Sequence, residues 1–189
     1  MTADRNFRRT AEDRIPGDLT KDQLIARILR VDQAGELGAV RIYQGQRAVL
    51  GRGRHGALLT KMHDQEKHHL ETFSRLIAER RVRPTALAPI WHVAGFVLGA
   101  GTALLGERAA MACTVAVEEA IDEHYAEQAA RLGDDEAGLR ATIEKFREEE
   151  IEHRDIGLAN EAEKAPAYPL LSAAIKTGCR AAIWLSERV

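Results

Sequence analysis

Two short stretches of the chain repeat one arrangement. In "DQEKHHLETF" Glu66 precedes His69 by three residues, and in "EEEIEHRDIG" Glu150 precedes His153 by the same interval. On a helix, residues three apart share a face with Cβ atoms about 5–6 Å apart, so a carboxylate and an imidazole so placed can reach one metal ion. Their count alone decides nothing, because 19 glutamates and 7 histidines in 189 residues give roughly 0.7 such pairs by chance. Two further glutamates change the odds. Glu36, in "AGELG", lies 30 residues before Glu66, and Glu118, in "VAVEEAI", lies 32 residues before Glu150. In an antiparallel helix pair, residues at equal height are separated by one helix plus a loop, and both intervals fit a helix of roughly 25 residues and a short turn.

Each half of the chain therefore offers one lone glutamate and one Glu-x-x-His at matching height. Four carboxylates and two imidazoles can give two ions a nitrogen each together with terminal and bridging carboxylates. The charge of the ions makes burial of the acids tolerable. Imidazole suits iron or zinc, and hard oxygen ligands suit iron or manganese. Taken singly, Glu118 beside "EE" and Glu150 in "EEE" read as solvated surface. Glu36 in its glycine-rich apolar setting, and Glu118 at the end of the uncharged run "AAMACTVAV", do not. His55, His63 and His68 read as exposed or as neighbours of the ligands.

The elements that must position these residues are helices. Thr20 and Gln23 in "LTKDQL" form a capping box that opens a helix reaching about Leu50, where "GRGRHG" breaks it. Further helices are expected from about Ala57 to Arg81, Glu107 to Leu132 and Asp134 to Glu163, with a last one in "YPLLSAAIKTGCRAAIWLSERV". Period-two alternation is nearly absent, so the chain reads as all-α. A length of 189 residues suits one domain with a real core. A net charge of −2, with no basic run interleaved with aromatics, gives no nucleic-acid footprint. Cys113 and Cys179 stand alone and read as buried thiols in a reducing compartment. Residues 1–19 read as a flexible tail without a secretory signal or transit peptide, leaving 20–189 as the domain.

"ALAPIWHVAGFVLGAGTALLG", Ala86 to Gly106, holds no Asp, Glu, Lys or Arg over 21 residues. That length touches the transmembrane range, but a single crossing would put the two halves of the ligand set on opposite sides of a bilayer. A short helix lying in one leaflet is the better reading. The last helix supports it with Lys176, Arg180 and Glu187 on one side and Leu171, Ile175, Ile183 and Trp184 elsewhere, an interfacial pattern. The bland alternative is that both segments cover the bundle or a dimer interface.

"RVDQAGELGAVRIYQGQ", "DQEKHHLETF", "RVRPTALAPIWHVAGFVLGAGTALLG", "MACTVAVEEAIDEHY", "KFREEEIEHRDIGL" and "APAYPLLSAAIKTGCRAAIWLSERV" closely resemble the demethoxyubiquinone hydroxylase family of ubiquinone biosynthesis. The likeness covers nearly everything after about residue 20. It implies a ferritin-like four-helix bundle with two additional apolar or amphipathic helices, attached to one membrane leaflet. It also implies a non-haem di-iron centre on Glu36, Glu66, His69, Glu118, Glu150 and His153. The implied reaction is O2-dependent hydroxylation of a polyprenylated methoxy-methyl-benzoquinol, with NADH as ultimate reductant although the chain has no GxGxxG loop. A lipid-binding accessory protein and a homo-oligomer are further implications. Tyr125, two turns after Glu118, stands either as a relay or as a packed core residue. The substrate's tail must stay in lipid while its ring reaches the metals, so an apolar path should open beside Ala86–Gly106.

Two rivals share the ligand pattern. A ferritin-like ferroxidase would not need the uncharged segment. A membrane-bound quinol oxidase has typically longer chains, and the quoted words fit it poorly. The untargeted start favours the cytoplasmic face of a bacterial cell membrane over the matrix side of the mitochondrial inner membrane.

Overall fold

The computed structural model describes residues 17–189, so nearly all of the expected N-terminal tail lies outside the described residues. Six helices follow in order: α1 (Lys21–Leu50), α2 (Gly56–Glu79), α3 (Ala88–Leu104), α4 (Glu107–Arg131), α5 (Ala137–Ala159) and α6 (Tyr168–Ser186). No strand occurs among the described residues, as the missing period-two pattern requires. α1 and α2 form one hairpin and α4 and α5 a second; together they make the four-helix bundle, with α3 laid on α1 and α6 on α4.

The capping box forms as expected. Gln23 N donates to Thr20 Oγ1 at 3.1 Å and Thr20 N donates to Gln23 Oε1 at 2.9 Å, which satisfies two donors at the helix start. The expected helix from Asp134 to Glu163 is shorter at both ends. Asp134–Glu136 and Ala162–Lys164 are single 3₁₀ turns, and Glu161 has a left-handed backbone with φ 63°. At the C-terminal end the reason is Asn160, whose Nδ2 donates to the Ile156 carbonyl at 2.8 Å and whose Oδ1 faces His55 Nε2 at 3.0 Å. Its side chain competes with the helix ladder and ends it.

α3 approaches α1 at a distance only glycine permits. A Cβ on Gly99 would lie 2.0 Å from the Ile42 carbonyl oxygen, and one on Gly45 would lie 2.3 Å from that of Phe96. The uncharged segment is thus fastened to the bundle by one face. Its other face, with Ile90, Val93, Val97 and Leu104, is exposed.

α6 departs from the interfacial pattern in its details. Lys176 pairs with Glu119 and Arg180 with Glu123, both on α4, while Glu187 pairs with Arg27 on α1. Ile175 is buried in the core. The charged residues therefore tie α6 to the bundle flank, and Leu170, Trp184 and Leu185 are its large exposed apolar side chains.

Two apolar clusters occupy opposite ends of the bundle. Ile28, Phe73, Ile143 and Phe146 belong to one, and Tyr43, Leu59, Met62 and Met111 to the other. The polar residues singled out by spacing fall between them. Both cysteines are free, Cys113 buried and Cys179 half-buried.

Candidate metal centre

All six residues chosen by type and spacing meet in the middle of the bundle, each at most 1% exposed. α1 supplies Glu36, α2 supplies Glu66 and His69, α4 supplies Glu118, and α5 supplies Glu150 and His153. They form two overlapping sets. Glu36, Glu66, His69 and Glu150 bring ligand atoms within 4.8 Å of one another, and Glu66, Glu118, Glu150 and His153 do the same. The two glutamates common to both sets are those of the Glu-x-x-His pairs, so Glu66 and Glu150 are shared between the sets while Glu36 and Glu118 belong to one each.

Each imidazole turns Nδ1 inward. His69 Nδ1 lies 3.1 Å from Glu150 Oε1 and 3.6 Å from Glu36 Oε2. His153 Nδ1 lies 2.9 Å from Glu66 Oε1 and 3.3 Å from Glu150 Oε2. The electrostatics are those of a cluster with too much negative charge. Burial, then the fields of Glu150 and Glu36, push Glu66 well above the usual carboxylate range. Burial, then Glu150 and Glu66, do the same to Glu118. Burial would also raise Glu150, but the imidazoles of His153 and His69 close beside it outweigh that and hold the carboxyl down at about 2. Burial opposes charge on His69, yet Glu150 and Glu36 drive it up to about 12.

The donor set fits a pair of cations. Glu66 has both oxygens, and Glu36, Glu118 and Glu150 have Oε2, buried without a hydrogen bond. An unsatisfied buried carboxylate oxygen is costly unless something positive reaches it. Four acids offset two divalent ions in charge, and six ligands from four helices are the set found in di-iron and di-manganese carboxylate bundles.

Spacing missed two buried polar residues nearby, Tyr43 and Asp32. Tyr43 OH donates to Glu118 Oε1 at 2.8 Å, a partner that could have been found by noting that Tyr43 follows Glu36 by seven residues as Tyr125 follows Glu118. Tyr125 OH donates to Glu36 Oε1 and also packs among Ile25, Phe73 and Phe146, so it is at once a core residue and a partner of the cluster. Asp32, one turn before Glu36, accepts from Gln128 Nε2 at 2.7 Å; nothing in its sequence context marked it as buried. His68 is exposed, while His55 and His63 are buried toward the far end of α2 with Asn160 and Arg47 as their partners.

A trough of about 570 Å³ lies outside the bundle, between α3 and α6 and over the seam of α1 and α4. Its walls are apolar, with Leu98 of α3 facing Ala174 and Gly178 of α6. Its floor carries Gly35 and Val117, the sequence neighbours of Glu36 and Glu118. Trp91 Nε1 donates to Ser186 Oγ at 3.0 Å and joins the two walls at one end. The volume is in the usual range for a ligand site, and the position beside α3 is the one expected for an access path.

The sequence profile of the family described as "Ubiquinone biosynthesis protein COQ7" matches residues 23–186. A "3-demethoxyubiquinol 3-hydroxylase" of Rhodospirillum rubrum is 67% identical over 183 residues, covering 96% of this chain and 86% of that protein. A human protein named "NADPH-dependent 3-demethoxyubiquinone 3-hydroxylase, mitochondrial" is 57% identical over 169 residues, covering 87% and 78%. The "5-demethoxyubiquinone hydroxylase, mitochondrial" of Saccharomyces cerevisiae is 43% identical over 180 residues, covering 86% and 77%.

Proposed function

The chain belongs to the COQ7 family of ubiquinone biosynthesis, and from that premise we propose that it is an O2-dependent hydroxylase of a polyprenylated demethoxyubiquinol. One ring C–H becomes C–OH with one atom of O2. The other atom leaves as water after taking two electrons and two protons. The observation that carries the reading is the convergence of Glu36, Glu66, His69, Glu118, Glu150 and His153 into two overlapping ligand sets. A ferroxidase needs those ligands but no apolar trough beside them.

Two iron ions would supply O2 binding and electron transfer, chemistry that zinc lacks because it has no redox states. Glu66 and Glu150 would hold both ions, Glu36 and Glu118 one each, and His69 and His153 one each through Nδ1. Tyr43 and Tyr125 orient the terminal carboxylates by occupying one oxygen of each. The trough binds the substrate and keeps water from the ring, with the tail leaving between α3 and α6. The final electron donor is a reduced nicotinamide nucleotide, NADH in the sequence reading and NADPH in the human relative's name.

No described helix is long and apolar enough to cross a membrane. The exposed face of α3, with Leu170 and Trp184 of α6, supports attachment to one leaflet, at the cytoplasmic face of a bacterial membrane where reduced nicotinamide is available. The same face suits a lipid-binding accessory protein or a second copy of the chain.

The test combines metal and quinone. Full-length protein loaded anaerobically should hold two irons; Glu150→Ala should lose both and Glu36→Ala one. Cells lacking the protein should accumulate a quinone one methoxy group short, cleared by re-expression of the wild type and not of Glu150→Ala. Full iron with full activity in both variants would refute the centre, and an unchanged quinone profile would refute the reaction.

A further inference from the structure

The two imidazoles of the centre are held differently from behind. Both turn Nδ1 toward the carboxylates, so both present Nε2 to the back. Behind His69 stands the carboxylate of Glu149, whose Oε2 accepts from Nε2 at 2.6 Å. Behind His153 stands the side-chain amide of Gln65, whose Oε1 accepts from Nε2 at 3.2 Å. The rings differ in the same sense. Phe146 stacks on His69 with centroids 3.9 Å apart and planes 26° from parallel, while Tyr43 touches His153 edge-on at 5.9 Å. The second oxygen of Glu149 lies 3.6 Å from Lys145, one turn earlier on α5, which keeps the carboxylate from swinging away.

We propose that Glu149 is a positioning residue that makes the two metal sites unequal, so that the His69 site fills first and binds more tightly than the His153 site. A carboxylate can only accept, so its hydrogen bond fixes the Nε2–H tautomer and leaves the Nδ1 lone pair facing inward. The charge-assisted bond is about twice as strong as the neutral one that Gln65 offers. It also pushes electron density onto the ring and strengthens it as a ligand, and loss of such a partner costs about 10–100-fold in metal affinity. The amide behind His153 orients without adding charge, and a ring without a stacked neighbour is freer to turn. The centre is then assembled in order, first on Glu36, Glu66, His69 and Glu150, and only afterwards on Glu118 and His153.

The inference rests on the two-metal reading above, and one titration separates them. Metal-free full-length protein is titrated anaerobically with Co2+, followed by visible absorption and calorimetry, for wild type, Glu149→Gln and Gln65→Glu. Wild type should give two resolved stepwise constants. Glu149→Gln should weaken the tighter one by about 10–100-fold and leave the weaker unchanged, while Gln65→Glu should strengthen the weaker one. In a His153→Ala background the one remaining site should still show the full Glu149→Gln loss. Mössbauer spectra of the 57Fe-loaded protein should show two ferrous doublets in wild type, of which one moves in Glu149→Gln. If Glu149→Gln fails to fold, Gln65→Glu carries the test alone. Wild type that binds no metal overturns both readings. Two equal wild-type sites, a Glu149→Gln variant that weakens both sites alike or neither, or a Gln65→Glu variant without a tighter second site overturns this inference and leaves the two-metal centre standing.

Discussion

Tyr43 on α1 donates its hydroxyl to Glu118 on α4 at 2.8 Å, and the relation is returned, since Tyr125 on α4 donates to Glu36 on α1. Each tyrosine follows the glutamate of its own helix by seven residues and serves the glutamate of the other. Each fixes one oxygen of that carboxylate and leaves the opposite oxygen, Oε2, free of hydrogen bonds. The two hairpins thus hold each other's candidate ligands across the bundle.

Tyr43→Phe and Tyr125→Phe should each still bind two ions, with affinity lowered by about tenfold, as for other lost partners of a ligand. Metal titration and turnover of the loaded enzyme measure the two effects separately. If Tyr125 also relays protons or electrons, Tyr125→Phe loses turnover beyond what metal restores, and Tyr43→Phe does not. Equal recovery of both variants at saturating iron would end the relay idea.

The convergence of the six candidate residues was legible because metal chemistry would fix both residue type and spacing: Glu-x-x-His follows from the helical repeat, and Glu36 and Glu118 from hairpin height. Tyr43, Asp32 and Glu149 were not, because each acts through a partner on another helix and local pattern is silent about that. Glu149, inside "EEE", looks like solvated surface until α2 places His69 against it. The all-α class followed from periodicity, while the C-terminal end of α5 depended on what Asn160 could reach. The uncharged segment was read as apolar throughout, yet one of its faces is committed to α1 through Gly95 and Gly99, a register visible only once the helices are packed.

Glu136 joins three elements at one end of the bundle. Arg80, the cap of α2, donates to it twice at 3.1 and 2.8 Å, and Lys21 at the start of α1 lies 3.4 Å away. The Arg80 hydrogen bonds hold its carboxyl below the ordinary 4.5, against an opposing effect of burial. The folded state therefore binds the proton less readily than the unfolded one. The stabilisation is complete above the unfolded value near 4.5 and is lost as pH falls through the lower folded value. Glu136→Gln should cost about 0.5–1 kcal/mol at pH 7 and nothing at the acid end. Melting of the metal-free protein from pH 7 to 3, wild type against variant, checks it; a difference that does not shrink as pH falls below 4.5 would mean packing rather than charge.

Val93 and Val97 on the outer face of α3 are 60% and 62% exposed and one turn apart. If that face enters a leaflet, each contributes about 1 kcal/mol of apolar burial, so Val93→Glu/Val97→Glu should weaken vesicle binding by roughly thirtyfold. Co2+ binding should be unchanged, because neither residue touches the centre. Co-sedimentation with phosphatidylcholine vesicles is the measurement. Undiminished binding would mean that α3 is not the attached face.

The trough predicts a difference between substrates that the metal centre cannot produce. Gly178 of α6 lines it, and a Cβ there meets nothing within 4 Å. Gly178→Trp should therefore fill the space between α3 and α6 without moving either helix, leaving metal content and melting temperature as in wild type. A long-tailed quinol has prenyl groups to bury in that space and a short-tailed analogue has none. Displacing two CH2 groups' worth of burial, at about 0.8 kcal/mol each, costs about tenfold in kcat/KM for the long substrate. Gly99 serves as the contrast: its Cβ would strike the Ile42 carbonyl at 2.0 Å, so Gly99→Ala should push α3 off α1 and lower the melting temperature whatever the substrate. Both substrates are assayed on each purified variant. Equal losses for long and short tails in Gly178→Trp, with iron retained, would place the substrate's route elsewhere on the bundle.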